Sequence, residues 1–434
     1  MRDTICALAT SPGQSALAIV RVSGPDSVRI REAVFTPKYG KQADFKAIRG
    51  DVLDFDDAVC ISFPEGKSFT GEASFELSLH GSSLIIQQTL HALQKAGARL
   101  ARPGEFSMRA FLSGKLDLTQ AEAVCDLISA RSEEAARVAL RNLKGGLAQV
   151  LEPARIQIID ALCEIEARLD FPDEDIGSAV RQSLQLALEQ VVTDLSSLIA
   201  NAQLGKRLMQ GARVVLYGAP NAGKSTLLNT LLGEEKALVH EKPGTTRDVI
   251  EAEWVLNGIP VRMIDVAGIR VDQGLDPVEQ LGIERARKEL QSADLVLWLK
   301  PQGDCSLEEP EMNVPLLTIA SKSDLGLRCE NCEQALSAKT GWGIESLKEK
   351  LFDFLAGPSR DPENTILTRA RQVEEVQTAK EALEEALWAL KNREPDEVVA
   401  FELRSAGHAL DRLLGKSLNE EVLDLIFSRF CIGK

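Results

Sequence analysis

Gly218-Ala219-Pro220-Asn221-Ala222-Gly223-Lys224-Ser225 follows the apolar run Ala212 to Tyr217 and opens a stretch of helical spacing that begins at Lys224. The octapeptide has the form G-x-x-x-x-G-K-[S/T], and strand, glycine loop and helix in that order are the context in which it cradles phosphate. The glycines let backbone N–H groups face a phosphate chain. Lys224 brings a point charge to the β and γ groups, Ser225 offers a hydroxyl to Mg²⁺, and the helix N-terminus adds its positive dipole end. With Asn221, Ala222, Gly223 and Thr226, these residues form the predicted phosphate site. An accidental glycine turn is the competing reading, and the flanking strand and helix argue against it.

Outward from this loop the chain alternates apolar strands with helices. The strands are Val261 to Gly268, Asp294 to Lys300 and Val314 to Ala320, with a helix near 278–291. That alternation predicts a doubly wound, mainly parallel sheet covered on both faces. Asp265-Val266-Ala267-Gly268 ends a strand about forty residues past the loop, so Asp265 can serve Mg²⁺ through water and Gly268 can offer an amide to the γ-phosphate. Between them Gly244-Thr245-Thr246-Arg247-Asp248 reads as a switch-like loop, with Thr246 placing its hydroxyl on Mg²⁺ when the γ-phosphate is present. The competing reading is an ordinary polar loop.

Base choice falls to Ser321-Lys322-Ser323-Asp324 and to Ser337-Ala338-Lys339. A carboxylate at Asp324 accepts two hydrogen bonds from guanine, whereas adenine offers one amino donor in a different arrangement, so GTP is favoured. Asn is the usual residue at the first place of this motif in GTP-binding proteins. Ser321 is too short to span to both base and loop. Ile269 follows the D-x-x-G, where a water-orienting Gln stands in Ras-type enzymes, so water alignment has to come from elsewhere.

The rest of the chain has two other textures. Residues 1–118 mix short β-rich runs (17–27, 75–83) with a helical stretch at 83–96, which predicts a small α+β domain. From 119 to 210 the apolar positions Leu184, Leu188, Val191, Leu195, Leu198 and Ala202 alternate steps of four and three, a heptad seam. Val376, Leu383, Leu387 and Leu390 keep that phase after residue 362, and Ser417 with Glu420 reads as a capping box. Pro153 and Pro172 are expected at a kink or at helix ends. The fold expected is therefore multidomain α/β and α. It has an N-terminal α+β domain (1–118), a discontinuous helical bundle (119–210 and 362–434) and an inserted P-loop domain with a doubly wound sheet (211–361).

At 434 residues, 44% hydrophobic and 26% charged, the chain is long enough for several buried cores and is not a disordered polymer. Its net charge of −15 repels nucleic acid and phosphate at long range, so such ligands must be held locally. No apolar run reaches the length of a membrane span and no signal-peptide pattern opens the chain, which predicts a cytoplasmic protein with no membrane partner. The eight scattered cysteines are expected as reduced thiols. Cys329 and Cys332 form one C-x-x-C without a second pair, so no zinc is expected.

The stretches TICALATSPG and VRVSGP near the start, SFTGEASFEL (68–77), PGEFSMRAFLSGKLDLTQAEAV (103–124), PNAGKSTLLN (220–229), PGTTRDV (243–249), DVAGIR (265–270), GIERA (282–286) and the terminal Cys431-Ile432-Gly433-Lys434 resemble the MnmE (TrmE) family of tRNA uridine-modification GTPases along nearly the whole chain. The resemblance implies a homodimer with a folate-binding N-terminal domain and a G domain activated by K⁺-dependent dimerisation. By similarity, Asn221 and backbone groups around His240, Lys242 and Thr245 would hold K⁺. Glu284 would orient the attacking water, and Arg21, Glu76 and Lys115 would take 5-formyltetrahydrofolate or a related one-carbon folate. Cys431 becomes a catalytic modification-site residue, and the terminal Lys434 is counted among the site residues. An FAD-dependent, MnmG-like protein would join in a heterotetramer or larger complex that installs an aminomethyl or carboxymethylaminomethyl group at C5 of the wobble uridine of certain tRNAs. Without the resemblance, Arg21, Glu76 and Lys115 read as surface charges or salt bridges, Glu284 as a solvated helix charge and Cys431 as a packed or exposed thiol. Arg99, Arg102, Arg109 and Lys115 either make a basic patch for RNA or balance nearby carboxylates. A ribosome-assembly or signalling GTPase timer without folate chemistry is the alternative function.

Overall fold

The computed structural model describes residues 3–40, 43–170, 178–233, 249–266, 287–301, 313–326, 332–357 and 366–433. The chain divides into two compact units, Met1–Cys125 with Leu143–Arg155 and Gly407–Lys434, and Asp126–Asn142 with Ile156–Ala406.

The first unit is built on strands β1 (Ile5–Leu8), β2 (Ser15–Ser23), β3 (Phe35–Pro37), β4 (Ile48–Val52), β5 (Asp56–Phe63), β6 (Ser74–Gly81) and β7 (Arg99–Leu100), in the order β3-β4-β5-β6-β2-β1-β7. Neighbours are antiparallel except β1 and β7. Period-two burial along β5 puts Ala58, Cys60 and Ser62 inside and their neighbours outward. Ala58 and Cys60 join Val20, Val22, Phe75, Leu77 and Leu79 in a core that takes in Ile30 and Leu93 from the helices Ser27–Val34 and Ser83–Lys95.

The C-terminal helix Glu420–Phe427 packs in the same unit, where Leu423, Phe427 and Phe430 meet Leu118 and Ala121. The Phe427 and Phe430 rings lie 5.0 Å apart edge to face. Gly104, at φ 66°, lies so close that a Cβ would stand 2.3 Å from the Phe427 carbonyl. Glycine is required there on both counts. The N-cap of the C-terminal helix is Asn419, whose Oδ1 accepts from the Val422 amide at 3.0 Å, and not the expected Ser417. Asn419 has the extended backbone a cap needs and sits next to the first helical residue.

In the second unit the predicted helical stretches pair. Helices Ser178–Ala200 and Ala370–Asn392 lie side by side, burying Leu188, Val191, Leu195, Val376, Leu383 and Leu390, and Lys391 bonds Glu189 at 2.9 Å. The helix Gly146–Asp170 runs through Pro153, so that proline is no helix end; it costs one backbone hydrogen bond to Gln149.

The other sheet, also in this unit, has strands β8 (Ala212–Gly218), β9 (Val249–Leu256), β10 (Ile259–Val266), β11 (Leu295–Pro301), β12 (Leu316–Ser321) and β13 (Gln334–Ala335), ordered β13-β12-β11-β8-β10-β9. All neighbours are parallel except β9, an antiparallel edge strand that the sequence pattern did not announce. The central strand β8 is buried on both faces, as parallel strands are. The helix Ala202–Gln210 leads into β8, and a Cβ at its Gly205 would lie 2.0 Å from the Leu367 carbonyl, so the incoming and outgoing segments touch. The expectation of reduced cysteines fails at Cys332, which is in a disulfide; Cys6, Cys60, Cys163 and Cys431 are free thiols.

Candidate nucleotide-binding site

The phosphate loop leaves the C-terminal end of β8 and enters the helix Lys224–Gly233. Gly218, at φ 154°, presses on β11, where a Cβ would meet the Leu299 carbonyl at 2.5 Å. Asn221 and Gly223 are both left-handed, at φ 63° and 96°. Alternating hands along such a loop turn successive N–H groups toward one side, which makes an anion cradle. Lys224 is buried, and its Nζ donates to the Gly218 and Ala219 carbonyls at 2.9 and 3.0 Å, closing the loop on itself. Burial lowers its pKa, and the nearby Asp265 carboxylate opposes that shift.

Ser225 Oγ donates to Asp265 Oδ2 at 2.7 Å. Asp265 is buried, and its Oδ1 has no hydrogen-bond partner among the described residues. A hydroxyl beside an orphaned carboxylate oxygen is a hard-oxygen pair of the kind Mg²⁺ takes. The β10–β8 register sets this meeting, since Asp265 lies opposite Leu216, two residues before the loop.

On the base side, β12 ends at Ser321 and the chain turns through Lys322, at φ 58°, into Ser323–Leu325. Ser337 Oγ donates to Asp324 Oδ1 at 2.7 Å, and with Lys339 and Lys322 nearby it holds the Asp324 carboxyl below its usual range. Thr230, on the helix after the phosphate loop, has its hydroxyl 2.9 Å from both the Ala338 carbonyl and the Thr226 carbonyl of its own helix, so its one proton is shared between the base-side loop and the helix. Sequence reasoning missed Thr230, because a threonine five residues past Ser225 carries no motif. Ser321 Oγ donates to the Ala222 carbonyl at 2.7 Å, so it reaches the phosphate loop. Of the predicted nucleotide residues, Asn221, Ala222, Gly223, Lys224, Ser225, Thr226, Asp265, Lys322, Asp324, Ser337, Ala338 and Lys339 are described on these two loops and their flanks. Thr245, Thr246, Gly268, His240, Lys242, Glu284 and Lys434 lie outside the described residues.

In the first unit Arg21 and Glu76 face each other across β2 and β6, with Nε donating to Oε1 at 2.8 Å. The Arg21 guanidinium lies 5.5 Å from the centroid of Phe69 and 5.8 Å from that of Phe106. Its Nη1 is 3.5 Å from the Gly433 carbonyl, so the terminal Cys431-Ile432-Gly433 segment comes to this pair, with Cys431 exposed. Lys115 bonds the Gly66 carbonyl on the loop that carries Phe69.

Three of the four basic residues weighed as an RNA patch pair with carboxylates, Arg102 only loosely, at 3.9 Å from Glu105 and Asp424. Arg109, buried, bonds Asp3, Glu72 and Glu105, and Arg99 bonds Asp3 and Glu105 at 2.6 and 2.7 Å. Burial alone would raise the Glu105 pKa, but Arg99, the Arg102 amide and Arg109 outweigh it and hold it at about 2.

Two family models match, "GTP-binding protein TrmE N-terminus" over residues 4–115 and "MnmE helical domain" over residues 118–431. The tRNA modification GTPase MnmE of Thermotoga maritima is 39% identical over 456 residues, covering all of both chains. That of a Synechococcus strain is 39% identical over 461 residues, covering 100% of this chain and 99% of the relative. Among solved structures, the G domain of the T. maritima FeoB iron transporter aligns to 33% of this chain and 98% of its own at 24% identity, with a TM-score of 0.26. With a family model over most of the chain and full-length relatives at this identity, the chain belongs to the MnmE family of tRNA modification GTPases.

Proposed function

We propose that this chain hydrolyses GTP in the service of tRNA modification. The observation that carries the reading is the pairing of Ser225 with the half-satisfied Asp265 carboxylate beneath a loop of left-handed residues, with Asp324 held by Ser337 on the adjoining strand end. The loop amides and Lys224 hold the phosphates, and Asp324 selects guanine over adenine. Ser225, with Asp265 behind it, would hold Mg²⁺, which when bound neutralises phosphate charge.

The finer reading rests on the family resemblance. Asn221, with His240, Lys242 and Thr245, would hold K⁺, which when bound would add positive charge beside the phosphates as the G domains of a homodimer meet. Thr246 and Gly268 close on the γ-phosphate, and Glu284 orients the water. The first domain takes a one-carbon folate such as 5-formyltetrahydrofolate at Arg21, Glu76 and Lys115. Cys431 and Lys434 serve the modification of the wobble uridine together with an FAD-dependent, MnmG-like partner, in the cytoplasm.

Steady-state hydrolysis of GTP and ATP by the full chain, in matched K⁺ and Na⁺ buffers with Mg²⁺, tests the first part. The expected result is GTP-specific turnover that K⁺ raises, that Asn221→Ala makes insensitive to the salt, and that Glu284→Ala slows in both. Equal rates in the two salts would remove K⁺ from the reading, and no GTP turnover would remove the hydrolase. Saturable 5-formyltetrahydrofolate binding to the full chain, weakened by Arg21→Ala, separates this function from a GTPase timer, which has no use for folate.

A further inference from the structure

The geometry points to Ser321 as a positioning residue that holds the phosphate loop and leaves the purine unread, so that in this chain the base is read from Asp324's side alone. This deepens the guanine-nucleotide reading of the site and rests on it.

Ser321 is the last residue of β12 and is buried, paired in register with Pro301 of β11. Its hydroxyl has one proton to give, and it goes to the Ala222 carbonyl at 2.7 Å. Ala222 stands between the left-handed residues Asn221 and Gly223, at the centre of the loop. No peptide bond among the described residues is cis, so the Ala222 carbonyl and the Gly223 N–H point in opposite directions from one plane. Pinning the carbonyl against β12 therefore aims the Gly223 N–H at the other side of the loop, where the phosphates belong. Gly223 carries no side chain that could hold that plane, and the Ser321 hydroxyl supplies a hold on it from β12.

The same accounting explains what is missing. An asparagine amide carries two protons and can serve a loop carbonyl and a purine acceptor together; a serine hydroxyl cannot. A purine acceptor brought to position 321 would then find no side-chain donor there, and base discrimination falls to the carboxylate fixed by Ser337.

The test is equilibrium binding of three nucleotides to the full chain with Mg²⁺. They are GDP, 7-deaza-GDP, which lacks the N7 acceptor but keeps the edge that Asp324 reads, and ADP, which lacks O6. Ser321→Ala removes the anchor and leaves a buried carbonyl unpaired, so all three should weaken by one common factor of about three- to thirtyfold. Ser321→Thr, which keeps the hydroxyl, should restore them. Ser321→Asn adds the second donor and should tighten GDP by about three- to tenfold over its effect on 7-deaza-GDP. The inference is overturned by undiminished binding in Ser321→Ala, by a loss on GDP larger than on either analogue, or by failure of Ser321→Thr to restore binding. If Ser321→Ala does not fold, the Ser321→Asn comparison decides, and equal gains on GDP and 7-deaza-GDP count against the inference. Equal affinity of the unsubstituted chain for GDP and ADP would instead defeat the guanine reading, while the common-factor comparison would still report on Ser321.

Discussion

Asp324 can select a base because its carboxylate arrives already oriented. Ser337 supplies a hydroxyl to one oxygen and two lysines bias the group toward its charged form, leaving the other oxygen for the ligand. Asp324→Asn replaces an acceptor with a donor facing the guanine N1–H, and the preference for GTP over ATP should fall by about ten- to a hundredfold, the worth of a hydrogen bond to a charged group. A competition assay with both triphosphates measures it, and an unchanged ratio would mean that selection lies elsewhere. Lys224→Ala should abolish measurable nucleotide binding without unfolding the chain, since the loop carbonyls that Lys224 now bonds can turn to water; calorimetric titration beside a melting curve separates the two effects. These residues were legible in the sequence because phosphate and guanine chemistry restricts which side chains can stand at which spacing. The Ser321–Ala222 bond and the Thr230–Ala338 contact were not legible. A hydroxyl's partner depends on which strands become neighbours, and no spacing rule carries that information.

At the scale of elements, apolar periodicity identified the long helices and the central strands, because burial of one face is written into every turn. It did not identify β9, whose pattern is that of an edge strand with one partner, nor the N-terminal strands β1, β3, β4 and β5, nor the two-residue strands β7 and β13, which are too short to show a period. The cap of the C-terminal helix was misplaced by two residues because Ser417 and Asn419 are both good caps, and only the backbone geometry chooses between them. This short helix holds through its aromatic anchor. Phe427 is buried against Phe111, Phe430 and the Gly104 backbone, so Phe427→Ala opens a cavity and should cost about 3–5 kcal/mol of stability in urea unfolding. The same substitution loosens the segment that brings Gly433 to Arg21. On the proposed reading, folate binding should then weaken even where the protein remains folded, and unchanged folate affinity in the folded variant would disconnect the terminal segment from that site.

For the whole molecule, the balance of charge matters more than any single pair. A net charge of −15 leaves a repulsive field toward RNA, and Arg99 and Arg109 are already committed to Asp3, Glu72 and Glu105. The wiring of that network, which ties the first residues of the chain to β7 and to the helix Glu105–Leu112, makes stability depend on acid. Glu105 has its folded pKa lowered from 4.5 to about 2 and Asp3 from 3.8 to about 2, the latter chiefly through its bond to Arg99. A carboxylate with a depressed folded pKa adds stability that is fully present above its unfolded pKa and is lost as pH falls through the folded one. The contribution is therefore constant above about pH 5 and disappears between about pH 4.5 and pH 2. For buried Glu105 the shift corresponds to something on the order of 3 kcal/mol; exposed Asp3 adds less because solvent screens it. Urea unfolding of the unsubstituted chain and of Glu105→Gln at a series of pH values isolates this group from the other carboxylates. The two should differ most at neutral pH and converge as pH approaches 2. A difference that stays constant from pH 7 to pH 2.5 would mean that Glu105 acts through packing and that its charge contributes nothing.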